Sequence, residues 1–154
     1  MRIAETMAMM FIGSFIIQYF LMSAIMVNEI KYVTNSIGKM YMSCLMALFM
    51  VLLEVLMHDH QYNVVSKNMY IGLGLLIGLF IYLYRKQTAI NDKQYLEGMI
   101  EHHSMALLTS KQILEKTNSY DVSKLAKNIV QTQEDEIHEM NKIINKINTI
   151  NKKQ

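Results

Sequence analysis

The sequence predicts an all-α protein: three transmembrane helices followed by an antiparallel helical hairpin. Three observations carry this expectation. The chain contains three apolar runs close to the length that crosses a bilayer, roughly 20 residues for a hydrocarbon core of about 30 Å. Its 154 residues are 52% hydrophobic and 18% charged, with the apolar ones gathered before Tyr84 and most of the charge after it. Beyond Asn91, two long stretches repeat apolar residues at the helical period and are separated by a short polar turn.

The first apolar run, residues 7–27 (MAMMFIGSFIIQYFLMSAIMV), has no charged residue. Its unbroken length favours a retained helix over a cleaved signal peptide, whose apolar core would be about 7 to 15 residues with a small-residue cleavage site after it. Residues 28–36 form a short polar connection carrying Glu29 and Lys31. The second span is expected at 37–57, with Glu54 near its end, and an ionisable residue inside a span is a functional candidate by default. A second connection carries His58 and His60. The third span is expected at about 65–84, extended by Val64 and Val65 with Lys67 snorkelling, and Tyr70, Tyr82 and Tyr84 stand where interfacial aromatics belong. The chain thus divides into a membrane domain, residues 1–86, and a hairpin, residues 91–150.

Within the spans, Met22 and Met26, then Met42, Met46 and Met50, recur every four residues, and Glu54 and His58 continue the second series. Methionine is a common space filler, which is the plainer reading; a ladder of soft ligands along a permeation path is the other. Gly74 and Gly78 give the close-packing GxxxG pattern. This layout resembles eukaryotic copper importers of the Ctr type, a resemblance that implies a trimeric, methionine-lined pore.

In the hairpin, Leu96, Met99, Ile100, His103, Ala106, Leu107, Ser110, Ile113 and Leu114 fall on one stripe of the first helix, residues 91–116. After the turn at 117–119, Leu125, Ala126, Ile129, Gln133, Ile137, Met140, Ile144 and Ile147 form the stripe of the second, residues 121–150. So short a loop forces antiparallel packing. His103 then faces the turn from Gln133 to Glu136, and Met99 faces His138 to Met140. A core histidine bonded to Gln133 or Glu136 would satisfy the rule that buried polar groups find partners. The neighbouring His102, with His138, Met99, Met105 and Met140, points instead to a metal site. Imidazole and thioether together suit a soft ion such as Cu(I), whereas carboxylate and carbonyl oxygens suit hard ones.

The pattern Met99-Ile100-x-His102-His103-x-x-Ala106, then Leu125-Ala126-x-x-Ile129 and Gln133-x-x-Glu136-Ile137-x-x-Met140, resembles the domain-of-unknown-function 305 family. The similarity is to its CopM-like group of ferritin-like copper binders, and the preceding spans resemble a membrane-anchored subgroup. The resemblance implies Met99, His102, His103 and Met140 as copper ligands with Gln133 and Glu136 in support, and Met105 and His138 as further candidates. It also implies a half-bundle that a second copy or the membrane helices would complete, hence a homo-oligomer. One departure is visible: Glu101 stands where the family usually has proline, which alters the local helix bend.

Other classes are disfavoured. A net charge of +2 without a basic block does not support nucleic-acid binding. The lone Cys44 offers neither a disulfide nor a CxxC motif. A di-iron enzyme needs carboxylates on four helices and paired ExxH motifs, approximated here by Asp135-x-x-His138 alone. The expectation is a non-enzymatic copper protein in a lipid bilayer, with a metal-free membrane adaptor as the competing class. Lys31, Lys39, Arg85 and Lys86 on the hairpin's side outnumber Arg2 and Lys67 on the other, which places the hairpin in the cytoplasm.

Overall fold

The computed structural model describes residues 3–151. They are helical throughout, with no strand among them. In order come α1 (Ile3–Ile16), a π-helical turn (Ile17–Met22), α2 (Ser23–Met26), a 3-10 turn (Ile30–Tyr32), α3 (Ile37–Tyr62), α4 (Lys67–Arg85), α5 (Asp92–Leu114) and α6 (Tyr120–Asn151). The chain divides into two compact units. One is built from the chain up to Met22 and Ile37–Ala89; the other from Ser23–Ser36 and Ile90 onward. Arg2, used above in weighing topology, lies outside the described residues.

The first unit holds apolar helices. Ile3–Met26, whose last turn from Ser23 belongs to the second unit, Ile37–Tyr62 and Lys67–Arg85 are each long and apolar enough to cross a membrane. Leu48, Val51, Val55 and Leu73 form its core, and Met7, Met10 and Phe11 from α1 pack on it. At the other end of the α1–α3 pair, where α1 continues into the π-helical turn, the Lys39 ammonium lies 4.7 Å from the Tyr19 ring centroid. These two levels make α1 and α3 antiparallel. Most large side chains of the unit remain uncovered: α1 buries none, and α4 buries Leu73 alone. Apolar side chains left uncovered along whole helices suit a lipid solvent better than an aqueous one.

Two details differ from the expected spans. The chain between α3 and α4 is not helical at Val64 and Val65, both exposed, because α4 begins at Lys67. Asp59 explains the turn: its buried carboxylate accepts hydrogen bonds from Ser66 N–H (2.6 Å), Ser66 Oγ (2.8 Å) and Tyr70 Oη (3.0 Å). Asn63 supplies the left-handed residue (φ 53°) that reverses the chain. In the GxxxG pattern, a Cβ added at Gly74 or Gly78 would meet nothing within 4 Å, so among the described residues no helix packs closely on that stripe. Met42 and Met46 are also exposed, and Met50 and Glu54 half-buried. The methionine series therefore lies along the outside of this three-helix unit, not in its core.

The second unit is the hairpin plus Ser23–Ser36, which joins the expected end of the first span, up to Val27, to the polar connection at 28–36. α5 starts where the Asn91 side chain accepts the Gln94 N–H (3.0 Å), an N-cap that satisfies one of the free amides at a helix start. α5 and α6 pack along their lengths, and Ile100, Leu107, Ile137 and Met140 form the core with Tyr32, Leu96, Met99, Val130 and Ile144 around it. Leu125 and Ile113, expected on the inner stripes, are instead exposed. They lie near the closed end of the hairpin, where two helices alone cannot cover a full apolar face.

Ser23–Ser36 is fastened to α5 by Glu101. The Ser23 hydroxyl donates to Glu101 Oε1, and the Thr34 N–H donates to Oε2 (2.9 Å). The Thr34 hydroxyl reaches both the Glu97 carbonyl oxygen (2.9 Å) and Glu101 Oε2 (3.0 Å), and its one proton serves one at a time. Asn28 N–H donates to Ser104 Oγ (2.9 Å). Gly98 lets the segment come close: a Cβ there would sit 3.3 Å from Ser36 Oγ. The Glu101 departure thus does not break the helix, since α5 is continuous across it, and its side chain serves as a buried acceptor.

Candidate metal-binding groove

α5 and α6 present their chemistry-bearing residues at one level because an antiparallel pair with a five-residue loop leaves little freedom in register. An open groove of about 540 Å³ lies there, lined by Tyr95, Leu96, Met99, His103, Gln133, Glu136, Glu139, Met140 and Ile143. Met99 and His103 are one turn apart on α5; Glu136 and Met140 are one turn apart on α6. The expected pairing of His103 with the turn from Gln133 to Glu136, and of Met99 with Met140, is thus realised.

His103 is the most constrained of these groups. Its side chain is 14% exposed, and Glu136 Oε2 lies 3.0 Å from Nδ1. The carboxylate oxygen stands off the direction of a ring N–H, so the enclosed Nδ1 has no hydrogen bond. The contact is close enough for an ion pair with a protonated ring, but it does not satisfy the nitrogen's directional valence. Gln133 is occupied elsewhere, with its amide 3.5 Å from Glu136 Oε2. Glu136 itself is 47% exposed at the groove's edge.

The remaining expected ligands separate from this set. His102 is exposed and does not line the groove, because successive residues on a helix point about 100° apart. His138 is exposed and Met105 half-buried, and neither reaches the groove wall. Three lining residues, Tyr95, Glu139 and Ile143, were not anticipated. Glu139 precedes Met140 and follows Glu136 by three positions, and Tyr95 precedes Met99 by four, so helical spacing pointed to both. Among the described residues, no group of three or more His, Cys, Asp and Glu side chains could hold a metal ion. A closed zinc-type site of four such ligands therefore has no counterpart here. What the groove offers is one imidazole with an unbonded nitrogen, two thioethers and carboxylates at the edge.

A family model described as Domain of unknown function (DUF305) matches residues 82–144. Uncharacterized protein L153 of Acanthamoeba polyphaga mimivirus is 34% identical over 145 residues, covering 94% of this chain and 94% of its own length. This chain belongs to the DUF305 family. The DUF305 match contains α5 and most of α6, and with them every residue of the groove. The similarity to the viral protein extends across the apolar helices as well. No solved structure matches the chain.

Proposed function

We propose that this DUF305 protein is a multi-pass membrane protein that binds copper as Cu(I) in the hairpin groove and hands it on or buffers it without catalysis. The observation that carries this reading is that His103, whose enclosed Nδ1 has no directed hydrogen bond, lines a groove together with two thioethers. A buried donor atom left unsatisfied costs about 1–3 kcal/mol, and a bound ion would offset that cost. Met99 and Met140 decide the kind of ion, since thioethers hold Cu(I) far better than Zn(II) or a hard cation. Glu136 and Glu139 would supply negative charge beside it. His102, His138 and Met105 are assigned no part in holding the ion within a single chain.

The orientation that fits the distribution of Lys and Arg puts the hairpin in the cytoplasm. The segment Ser23–Ser36 belongs to the same unit as the hairpin, which supports placing that connection and the hairpin on one side of a three-span protein. Copper would then be held on the inner side.

The test is a competition titration of the full-length protein in detergent against a Cu(I) chelator. One high-affinity site per chain is expected, weakened more than tenfold, about 1.4 kcal/mol, in Met99→Leu/Met140→Leu. Unchanged affinity in that variant would remove the thioether model. Absence of any stoichiometric site would favour the metal-free adaptor.

A further inference from the structure

We propose that the last turns of α6, from Lys142 onward, rest on a bilayer surface carrying anionic phosphate headgroups, with Ile143, Ile147 and Ile150 turned into the headgroup layer. This rests on the reading that the three apolar helices span a membrane. Ile143, Ile147 and Ile150 follow the spacing i, i+4, i+7 and share a stripe about 60° wide. Ile143 is 41% and Ile150 50% exposed. Asn145, Asn148 and Thr149 occupy the other side of the helix, and Lys146 and Lys142 lie along one edge of the stripe. An apolar stripe bordered by lysines and backed by polar residues is the pattern of a helix lying in a membrane interface.

The lysines carry the argument for charge. Lys111 and Lys93 are engaged, by Glu134 (2.8 Å) and Glu97 (3.7 Å). Lys142 and Lys146 have no ion pair among the described residues. The sequence adds Lys152 and Lys153 just beyond. Four cations without an acidic residue after Glu139 suit an anionic lipid surface.

Chain connectivity brings this end to the membrane. The third apolar helix ends at Arg85 and α5 begins at Asp92, so the link is at most about 20–25 Å long. α6 runs antiparallel to α5, which returns its C-terminal turns to the α5 start. Ser23–Ser36, bounded by two apolar helices, is tied to the same half of α5 through Glu97, Glu101 and Ser104. Tyr32 from that segment packs on the core that includes Ile144. Ile143 and the 54%-exposed Tyr95 also line the copper groove, so a docked stripe would set the groove mouth at the headgroup layer.

The experiment uses the full-length protein with Cys44→Ser, spin-labelled at single cysteines replacing Ile143, Asn145, Ile147, Asn148, Thr149 or Ile150. It is reconstituted in vesicles of phosphatidylcholine with or without phosphatidylglycerol, and accessibility to oxygen and to an aqueous nickel chelate is read at each site. Leu75→Cys, at a 72%-exposed position of α4, reports the spans. The proposal expects Ile143, Ile147 and Ile150 to favour oxygen and Asn145, Asn148 and Thr149 to favour nickel in the anionic vesicles. That periodicity should be lost in neutral vesicles and in Lys142→Gln/Lys146→Gln. Nickel access at all six sites with Leu75 in lipid overturns the docking and leaves the spans standing. Nickel access at Leu75 overturns the spanning reading and the proposal with it. Equal periodicity in neutral vesicles overturns the anionic headgroup as the partner, and dipolar broadening between copies with neither reagent admitted overturns lipid as the partner.

Discussion

Glu101 and His103 enter the second unit from the same turn of α5 and end in opposite states. The Glu101 carboxylate is buried and gathers donors from Ser23 and Thr34. The His103 Nδ1 is enclosed and has no directed hydrogen bond. Folding tolerates a buried polar group when its partners are all present, and most native structures leave few exceptions. An exception two residues from a fully bonded carboxylate therefore asks for a separate cause. Glu101 serves architecture; the His103 Nδ1 meets only the Glu136 carboxylate, 3.0 Å away and off the hydrogen-bond direction.

The sharpest way to break the comparison is Glu101→Ala. It leaves the Thr34 N–H and the Ser23 hydroxyl without their acceptor, while the Thr34 hydroxyl keeps the Glu97 carbonyl oxygen, at an expected cost of about 3 kcal/mol. Amide exchange of residues 27–36 in detergent-solubilised protein should accelerate by two orders of magnitude or more. Protection unchanged from the parent would mean that the carboxylate does not hold the segment.

His103→Leu should give the reverse result. Replacing an unsatisfied imidazole with an apolar group of similar bulk removes a desolvation cost, so stability should hold within about 1 kcal/mol or rise. Copper binding should fall by at least tenfold in chelator competition. A loss of stability as large as that of Glu101→Ala, with copper affinity retained, would make His103 a structural residue and end its role as a ligand.

Met99→Leu/Met140→Leu separates the donor types within the groove. Leucine is close to methionine in volume, so each change should cost less than about 1.5 kcal/mol in stability. The selective loss of Cu(I) affinity over Zn(II) is the expected signature, measured by parallel titrations.

Much of this arrangement was legible in the sequence because it depends on local period and chain reversal. The apolar runs gave the three long helices, and the short loop at Thr117–Ser119 gave the antiparallel register that brings Met99, His103, Glu136 and Met140 to one groove. What could not be read depends on contacts distant in sequence. Glu101 drew notice as a departure from a family pattern, but its partners lie 67 and 78 residues away. The same holds for Ser23–Ser36, which by composition looks like a span end followed by an ordinary polar loop until its donors are matched to α5. His102 was grouped with His103 by adjacency, although a helix turns adjacent side chains to different faces.

The smallest effect is expected at the closed end of the hairpin. Leu125 carries the apolar period of α6 but is 61% exposed, and Ile113 at the same level is 41% exposed. Periodicity marks which side of a helix faces its partner, whereas burial also requires enough partner to cover the side chain. Two helices supply that cover in the middle, where Tyr32 adds a third body, and fail to supply it at the tip. Leu125→Ser should therefore change unfolding free energy by no more than about 0.5 kcal/mol, the usual range for surface substitutions. Ile137→Ser, at a 3%-exposed site on the same stripe, should cost several times more and serves as the internal reference. A large loss from Leu125→Ser in the full-length protein would reveal that something covers the tip in solution, and dilution through the oligomeric transition would then show whether a second copy provides it.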